Sequence, residues 1–296
     1  MSNNIFEEGA LVNLTVSIWG GRKKLPVTQM QVEADPDFIR GTKYLVEREV
    51  LKPIEQIRNS ARSFLRDHSL PFPITGVAFI PKTLIDRMDR QLSQFKENFG
   101  MKVEDFLAQY ENAKTVARIK LNGLYCEEDY PENIGTLFNF SWQFFTLSAP
   151  GRVSIINPEI MRREEARFLQ MMSDFRENAV NVLRIRFSEM VSRIVDRLSG
   201  EEKRFKNTTI TNIQEFLDAF THLNINNDES LKCEVERVKA ILTGVDPGSI
   251  RSDSGFRASV AGQMSKVQDS LESMTENLPR RKLMINREEE ESKVAA

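Results

Sequence analysis

Residues 158–199 read PEIMRREEARFLQMMSDFRENAVNVLRIRFSEMVSRIVDRLS, and this stretch decides the fold. Asn157 before Pro158 is a helix-start signal: the amide side chain can accept from a free backbone N–H, and proline suits the first turn because its missing donor has no partner there anyway. No proline or glycine then interrupts the chain for about forty residues, up to Gly200. Phe168, Met172, Phe175, Ala179 and Val182 step by four, three, four and three. After a five-residue step, Phe187, Val191, Ile194 and Leu198 resume that rhythm. Near-heptad spacing with one discontinuity predicts a long helix lying along another, with a local change of supercoil at the interruption. At 1.5 Å per residue it would measure roughly 60 Å, about twice the diameter of a small domain, so it must protrude or enter a bundle.

Working outward, the rest of the chain predicts a mainly α protein, with long amphipathic helices in a bundle or coiled-coil arrangement and a small β element. Towards the C-terminus shorter helices are expected at 210–222, 229–242 and 253–277, with a hinge at Asp246-Pro247-Gly248-Ser249. Towards the N-terminus the aromatic stretch 134–147 alternates Phe138, Phe140, Trp142 and Phe144 against polar residues, as a strand does. Ile134, Phe138, Trp142 and Phe145 also fit a helix, so periodicity alone leaves both open; the strand, near 138–147, is preferred. The clearest strand is 11–19, where Val12, Leu14, Val16 and Ile18 alternate with Asn13, Thr15 and Ser17, and it is the expected pairing partner.

Between these strands, Gly20-Gly21 breaks the first, and Arg22-Lys23-Lys24-Leu25-Pro26 is expected to be an exposed connection. Asp35-Pro36 predicts a helix start. Val50, Ile54, Ile57, Ala61 and Phe64 form an apolar stripe, with a kink or break expected at Pro53, whose ring nitrogen cannot bond back to residue 49. Residues 70–81 are unusually apolar for a connection, and their three prolines forbid one continuous helix. A membrane-inserting tongue is one reading of them; burial in the core or against a protein partner is preferred. A helix after Pro81 carries Ile85, Met88, Leu92, Phe95 and Phe99 and is expected to stop at Gly100, and a second stripe from Val103 to Ala117 continues to about Gly123. The division expected from this order is an N-terminal mixed domain over 1–150 with a strand and a helical hairpin, a helical domain over 151–279, and a mobile charged tail over 280–296.

Composition limits the function classes. Of 296 residues, 40% are apolar and 28% charged, the balance of a folded globular protein. The 41 basic and 43 acidic side chains nearly cancel, which gives no global field to hold a polyanion. Two distant cysteines, Cys126 and Cys233, suggest neither a disulfide scaffold nor a zinc module. With no signal-peptide pattern at the start and no apolar run of bilayer length, the expected compartment is the cytoplasm.

A search for chemistry yields no catalytic set, and no cofactor or metal is expected. His68 and His222 stand alone at predicted helix ends. Glu127-Glu128-Asp129 is a dense acidic cluster with two readings, a divalent-ion site and solvated loop charge, of which solvated loop charge is preferred. Arg22, Lys23 and Lys24 after two glycines are candidate anion contacts, although the spacing is not that of a nucleotide-binding loop. Eight arginines on the long helix are interleaved with nearly as many acids, which favours an ion-pair face over a nucleic-acid stripe. The candidate interaction residues are therefore the apolar ones: Phe168, Met172, Phe175, Phe187, Val191, Ile194 and Leu198 on the long helix, with Phe72 and Phe79.

The strand leading into Trp19-Gly20-Gly21-Arg22-Lys23-Lys24-Leu25 resembles the opening of a family of uncharacterised proteins from bacteriophages and integrative elements. Genes of that family often lie near a MoxR-type AAA+ ATPase and a von Willebrand A-type protein. The resemblance implies a partner and a bacterial host cell, not an activity, and carries over no functional residues. The function expected is a non-catalytic helical interaction or assembly subunit whose partner is itself or a AAA+ ATPase; the alternative is a nucleic-acid-associated accessory protein of phage recombination or replication.

Overall fold

The computed structural model describes residues 5–26, 35–149, 157–199, 207–245 and 247–275. The expected tail over 280–296 lies outside them, as does Asp246 of the expected hinge. In chain order the elements are β1 (Gly9–Ser17), β2 (Arg22–Leu25), β3 (Gly41–Tyr44), α1 (Arg48–Asp67), β4 (Leu70–Pro71), β5 (Val77–Pro81), α2 (Ile85–Leu121), β6 (Asn139–Phe145), α3 (Pro158–Ser199), α4 (Asn207–Leu223), α5 (Glu229–Leu242), α6 (Pro247–Ser252) and α7 (Ser254–Thr275). The chain is mainly helical, with one small four-stranded sheet in the order β4-β5-β1-β6 and a separate two-stranded ribbon of β2 and β3. No helix among the described residues is long and apolar enough to cross a membrane.

Packing divides the chain into two compact units that are not the consecutive segments 1–150 and 151–279. One comprises residues 1–11, 67–84 and 146–296; the other comprises 12–66 and 85–145.

The first unit is organised on α3. The expected start signal is realised, with Asn157 Oδ1 accepting from the Glu159 N–H at 2.8 Å. Every buried side chain of α3 lies from Phe175 to its C-terminal end, and the main partner is α7, which buries Val260, Met264, Val267 and Leu271 at the same four-three-four spacing. Arg257, in the first turn of α7, donates to the carbonyls of Leu198 and Arg197 at 2.7 and 2.8 Å. These bonds satisfy acceptors that the end of α3 leaves free, and they start α7 at the C-terminal end of α3, from which it packs back along the helix. The ring of Phe187 stacks on Phe216 of α4 at 5.4 Å. Arg184 pairs with Asp228 at 2.7 Å, and the other oxygen of that carboxylate caps α5 through the Leu231 N–H. The 70–81 segment, expected as a connection, is instead an antiparallel hairpin in which Leu70 faces Phe79 and Pro71 faces Ala78. Its prolines are tolerated because they lie in the short two-residue strand, in the turn and at the last strand position, where a missing N–H breaks little of the ladder. Phe72 and Phe79 both pack on Phe175, at 5.3 and 5.2 Å. Gly9 of β1 lies so close to Ile80 O and Phe79 Cζ that any Cβ would collide with them.

In the second unit α2 supplies the core. The two stripes expected to be separated by Gly100 join in one helix that runs through it. Phe99 packs on Phe140 of β6 at 5.6 Å, and Phe106 meets Phe138 at 5.5 Å and Trp19 at 6.1 Å. The aromatic stretch is thus a strand from 139 to 145, next to β1 in the sheet order. α1 likewise continues through Pro53 without the expected break. The acceptor deprived there is the carbonyl of exposed Glu49, which water can satisfy. Asp35 does cap its N-terminus, accepting from the Asp37 N–H at 3.0 Å, yet only the single 3-10 turn Pro36–Phe38 follows before β3.

Candidate functional site

Two surfaces emerge: a charged, aromatic cluster around the acidic turn Glu127–Asp129 and the first half of α3.

The cluster begins with the correction that Arg22–Leu25 is not a connection but strand β2, paired antiparallel with β3 so that Arg22 faces Tyr44, Lys23 faces Lys43 and Lys24 faces Thr42. Gly21 permits the preceding turn with a φ of +60°, and a Cβ there would approach Leu51 Cδ1 at 2.8 Å. Directly opposed residues project to one face of a ribbon, so Lys23 and Lys43 stand side by side, a repulsive pair if left alone. One carboxylate resolves the conflict: Asp129 accepts from Lys23 and Lys43, each at 2.5 Å. The Asp129 side chain is only 6% exposed and that of Lys43 only 8%, so this is a buried charge cluster rather than a surface pair. Burial pushes the Asp129 carboxyl up, but the two lysine hydrogen bonds outweigh it and hold the group below the usual carboxylate range. Lys43 also donates to the Leu124 carbonyl at 2.6 Å.

Glu127, two residues earlier, is held differently. Lys114 contacts it at 2.6 Å, Tyr125 donates to it at 2.7 Å and Arg118 at 2.8 Å. Hydrogen bonds from Lys114 first, then Tyr125, bring its carboxyl down to about 2. The Lys114 ammonium lies 5.8 Å from the ring centres of both Tyr110 and Tyr130. Tyr130 stacks on Tyr125 at 5.2 Å, and burial raises its phenol to about 12. The expectation of solvated loop charge holds for Glu128, which is exposed, and for Glu127, which is paired yet 56% exposed, but not for Asp129, which is shielded between two lysines. The sequence carries no clear local signal for the second strand of the ribbon, since residues 38–44 read FIRGTKY without regular apolar–polar alternation.

Of the candidate anion contacts, Lys23 is therefore engaged, whereas Arg22 and Lys24 project from the opposite face of β2, exposed. His222 Nδ1 lies 3.0 Å from Thr83 Oγ1, and His68 is buried. Four of the eight arginines of α3 fix other elements of their own unit: beyond Arg184, Arg176 pairs with Glu8 at 3.5 Å, Arg186 donates to the Ser69 carbonyl at 3.0 Å and Arg197 to Thr209 Oγ1 at 2.6 Å. Glu189 and Arg193 form an i, i+4 pair at 3.6 Å, and Arg163 contacts the neighbouring Glu164 at 3.2 Å.

The apolar interaction candidates divide sharply along α3. Phe175, Phe187, Val191, Ile194 and Leu198 are buried within the chain itself, as are Phe72 and Phe79. These seven form intramolecular packing, not an open seam. Phe168 and Met172 are only half-buried and lie in the part of α3 preceding Phe175, where no side chain is buried. Ile160 and Leu169 there are 43% and 60% exposed.

A model described as a protein of unknown function, DUF3150, matches residues 7–224. The chain belongs to the DUF3150 family. No curated protein and no solved structure matches it. The DUF3150 match takes in the β2–β3 ribbon, the acidic turn and the whole of α3, so both surfaces lie within the family's shared region.

Proposed function

We propose that this DUF3150 protein is a non-catalytic interaction and assembly subunit of phage or mobile-element origin, which docks a second protein on the first half of α3. One observation supports the reading: a 42-residue helix buries nothing before Phe175. The physical cause is length. α7 has 22 residues, about 33 Å of helix, and begins at the far end of α3, so among the described residues it cannot cover the first turns. Met161, Phe168, Met171 and Met172 form a half-buried stripe there, beside exposed Ile160 and Leu169. Methionine adapts its shape to varied partners, and an apolar stripe at helical spacing fits a partner helix or groove. The partner helix would extend the near-heptad packing as a coiled coil. A second copy or a AAA+ ATPase is the proposed occupant, the latter from the resemblance at 19–25, and the bacterial cytoplasm is the proposed compartment.

The test is Ile160→Asp with Leu169→Asp in the full chain. Light scattering should show the parent as an oligomer, or affinity capture should recover the ATPase from cells carrying the element. The variant should lose that association with unchanged melting. A parent that is monomeric and captures no protein, or a variant that associates as before, overturns the proposal.

A further inference from the structure

We propose that the outward face of the β2–β3 ribbon is a binding platform for single-stranded nucleic acid. The face is defined by exposure. Arg40, Thr42 and Tyr44 are exposed at every second position, while Ile39, Gly41 and Lys43 are half-buried and Leu45 is buried, and Phe38, which ends the 3-10 turn leading into β3, is exposed as well. The register adds Lys24 opposite Thr42 and Arg22 opposite Tyr44, so both cations share this face. Arg48 completes it, its guanidinium 5.5 Å from the centre of the Tyr44 ring.

The ribbon thereby sorts its charges. Lys23 and Lys43 point the other way and are neutralised by Asp129. Arg22, Lys24, Arg40 and Arg48 have no carboxylate partner among the described residues. Of the nearby acids, Asp35 caps a turn and Glu47 pairs with Lys120, while Asp37 and Glu49 are exposed. Four cations without partners suit a polyanion even on a chain of net charge −2, because recognition depends on local potential.

The aromatic rings choose among polyanions. Phe38 is 88% exposed and Tyr44 44%, and large apolar rings left in water gain by stacking. Unpaired bases offer π-faces, whereas the bases of a duplex are already stacked and an acidic peptide would satisfy the cations but leave the rings bare. The face and α3 share no residue and belong to different units of the chain, so this inference stands or falls independently of the assembly role.

The experiment uses the full chain and a fluorescently labelled oligothymidylate longer than the roughly 16 nucleotides one such site covers, with anisotropy read at low and rising salt. Binding is expected, with Phe38→Ala and Tyr44→Ala each weakening it about tenfold and Tyr44→Phe retaining it. Replacing Arg22 and Lys24 by alanine should lower the slope of log affinity against log salt by roughly 1.4, about 0.7 per cation. All these side chains face solvent, so melting monitored by circular dichroism should not change. Four results would overturn the proposal: no binding at low salt, binding indifferent to loss of both rings, equal affinity for a duplex, or equally effective competition by polyglutamate.

Discussion

Asp129 shows how one side chain can fix a ribbon. It sits between two lysines that strand pairing forces together, and its own side chain and that of Lys43 are shielded from water. Asp129→Asn keeps the shape but removes the charge, leaving Lys23 and Lys43 opposed with no counterion. Breaking a buried pair by neutralising one member costs on the order of 3 kcal/mol, so urea unfolding should show a loss of about that size. Lys43→Met added to Asp129→Asn should recover part of it, because the remaining charge at Lys23 is 54% exposed and can be hydrated. The same groups set an acid limit. The carboxyls of Asp129 and Glu127 titrate below their ordinary range in the fold, so the unfolded chain binds more protons. Their stabilisation is therefore complete above the ordinary value near 4 and is lost as pH falls towards about 2, where Glu127 titrates. Thermal melts across that window should decline, and the Asp129→Asn chain should decline less steeply. The sequence marked the acidic turn and Lys23 separately but not their pairing, because the members of the network come from two strands, a helix and a turn that spacing does not connect.

At the scale of elements, the long helices were legible and the short strands were not. α3 follows its apolar rhythm from Pro158 to Ser199, as read, because more than ten turns average out local exceptions. Val191 is fully buried in that stripe, so Val191→Asp should cost several kcal/mol in denaturant unfolding by burying an unpaired charge. Gly100 was misjudged: glycine favours helix ends, but it also survives in a helix interior when packing on either side holds the axis. A Cβ at Gly100 would meet nothing within 4 Å, so Gly100→Ala should raise stability by roughly 0.5–1 kcal/mol, read as a higher denaturation midpoint with unchanged slope. The β2–β3 ribbon and the 70–81 hairpin escaped because strands of two to five residues contain too few alternations to stand out from loops. In both, pairing across a turn rather than local pattern makes the strand.

For the molecule as a whole, the chain order was legible and the packing was not. A boundary near 150 follows composition, yet each unit draws on separated segments because rings at 72 and 79 find their partner at 175. A fragment ending at residue 150 should therefore not behave as a domain. With Phe72 and Phe79 uncovered, it should bind a hydrophobic dye and aggregate, whereas the full chain should do neither. Of the nine apolar interaction candidates, sequence spacing picked seven that the chain buries against itself. Periodicity marks which side of a helix is apolar, but the length of its neighbour determines how much of that side stays uncovered.

The dependence of Phe79 on Phe175 also has a consequence during synthesis. The segments of the second unit have all left the ribosome once residue 145 has emerged, but the first unit must wait for its long helix. At roughly 5–20 residues per second, the greasy tip at 70–81 spends about 5–20 seconds in the nascent chain before the ring that shields it is made. A holdase should therefore be found on translating ribosomes carrying this chain, and it should leave when Phe175 appears.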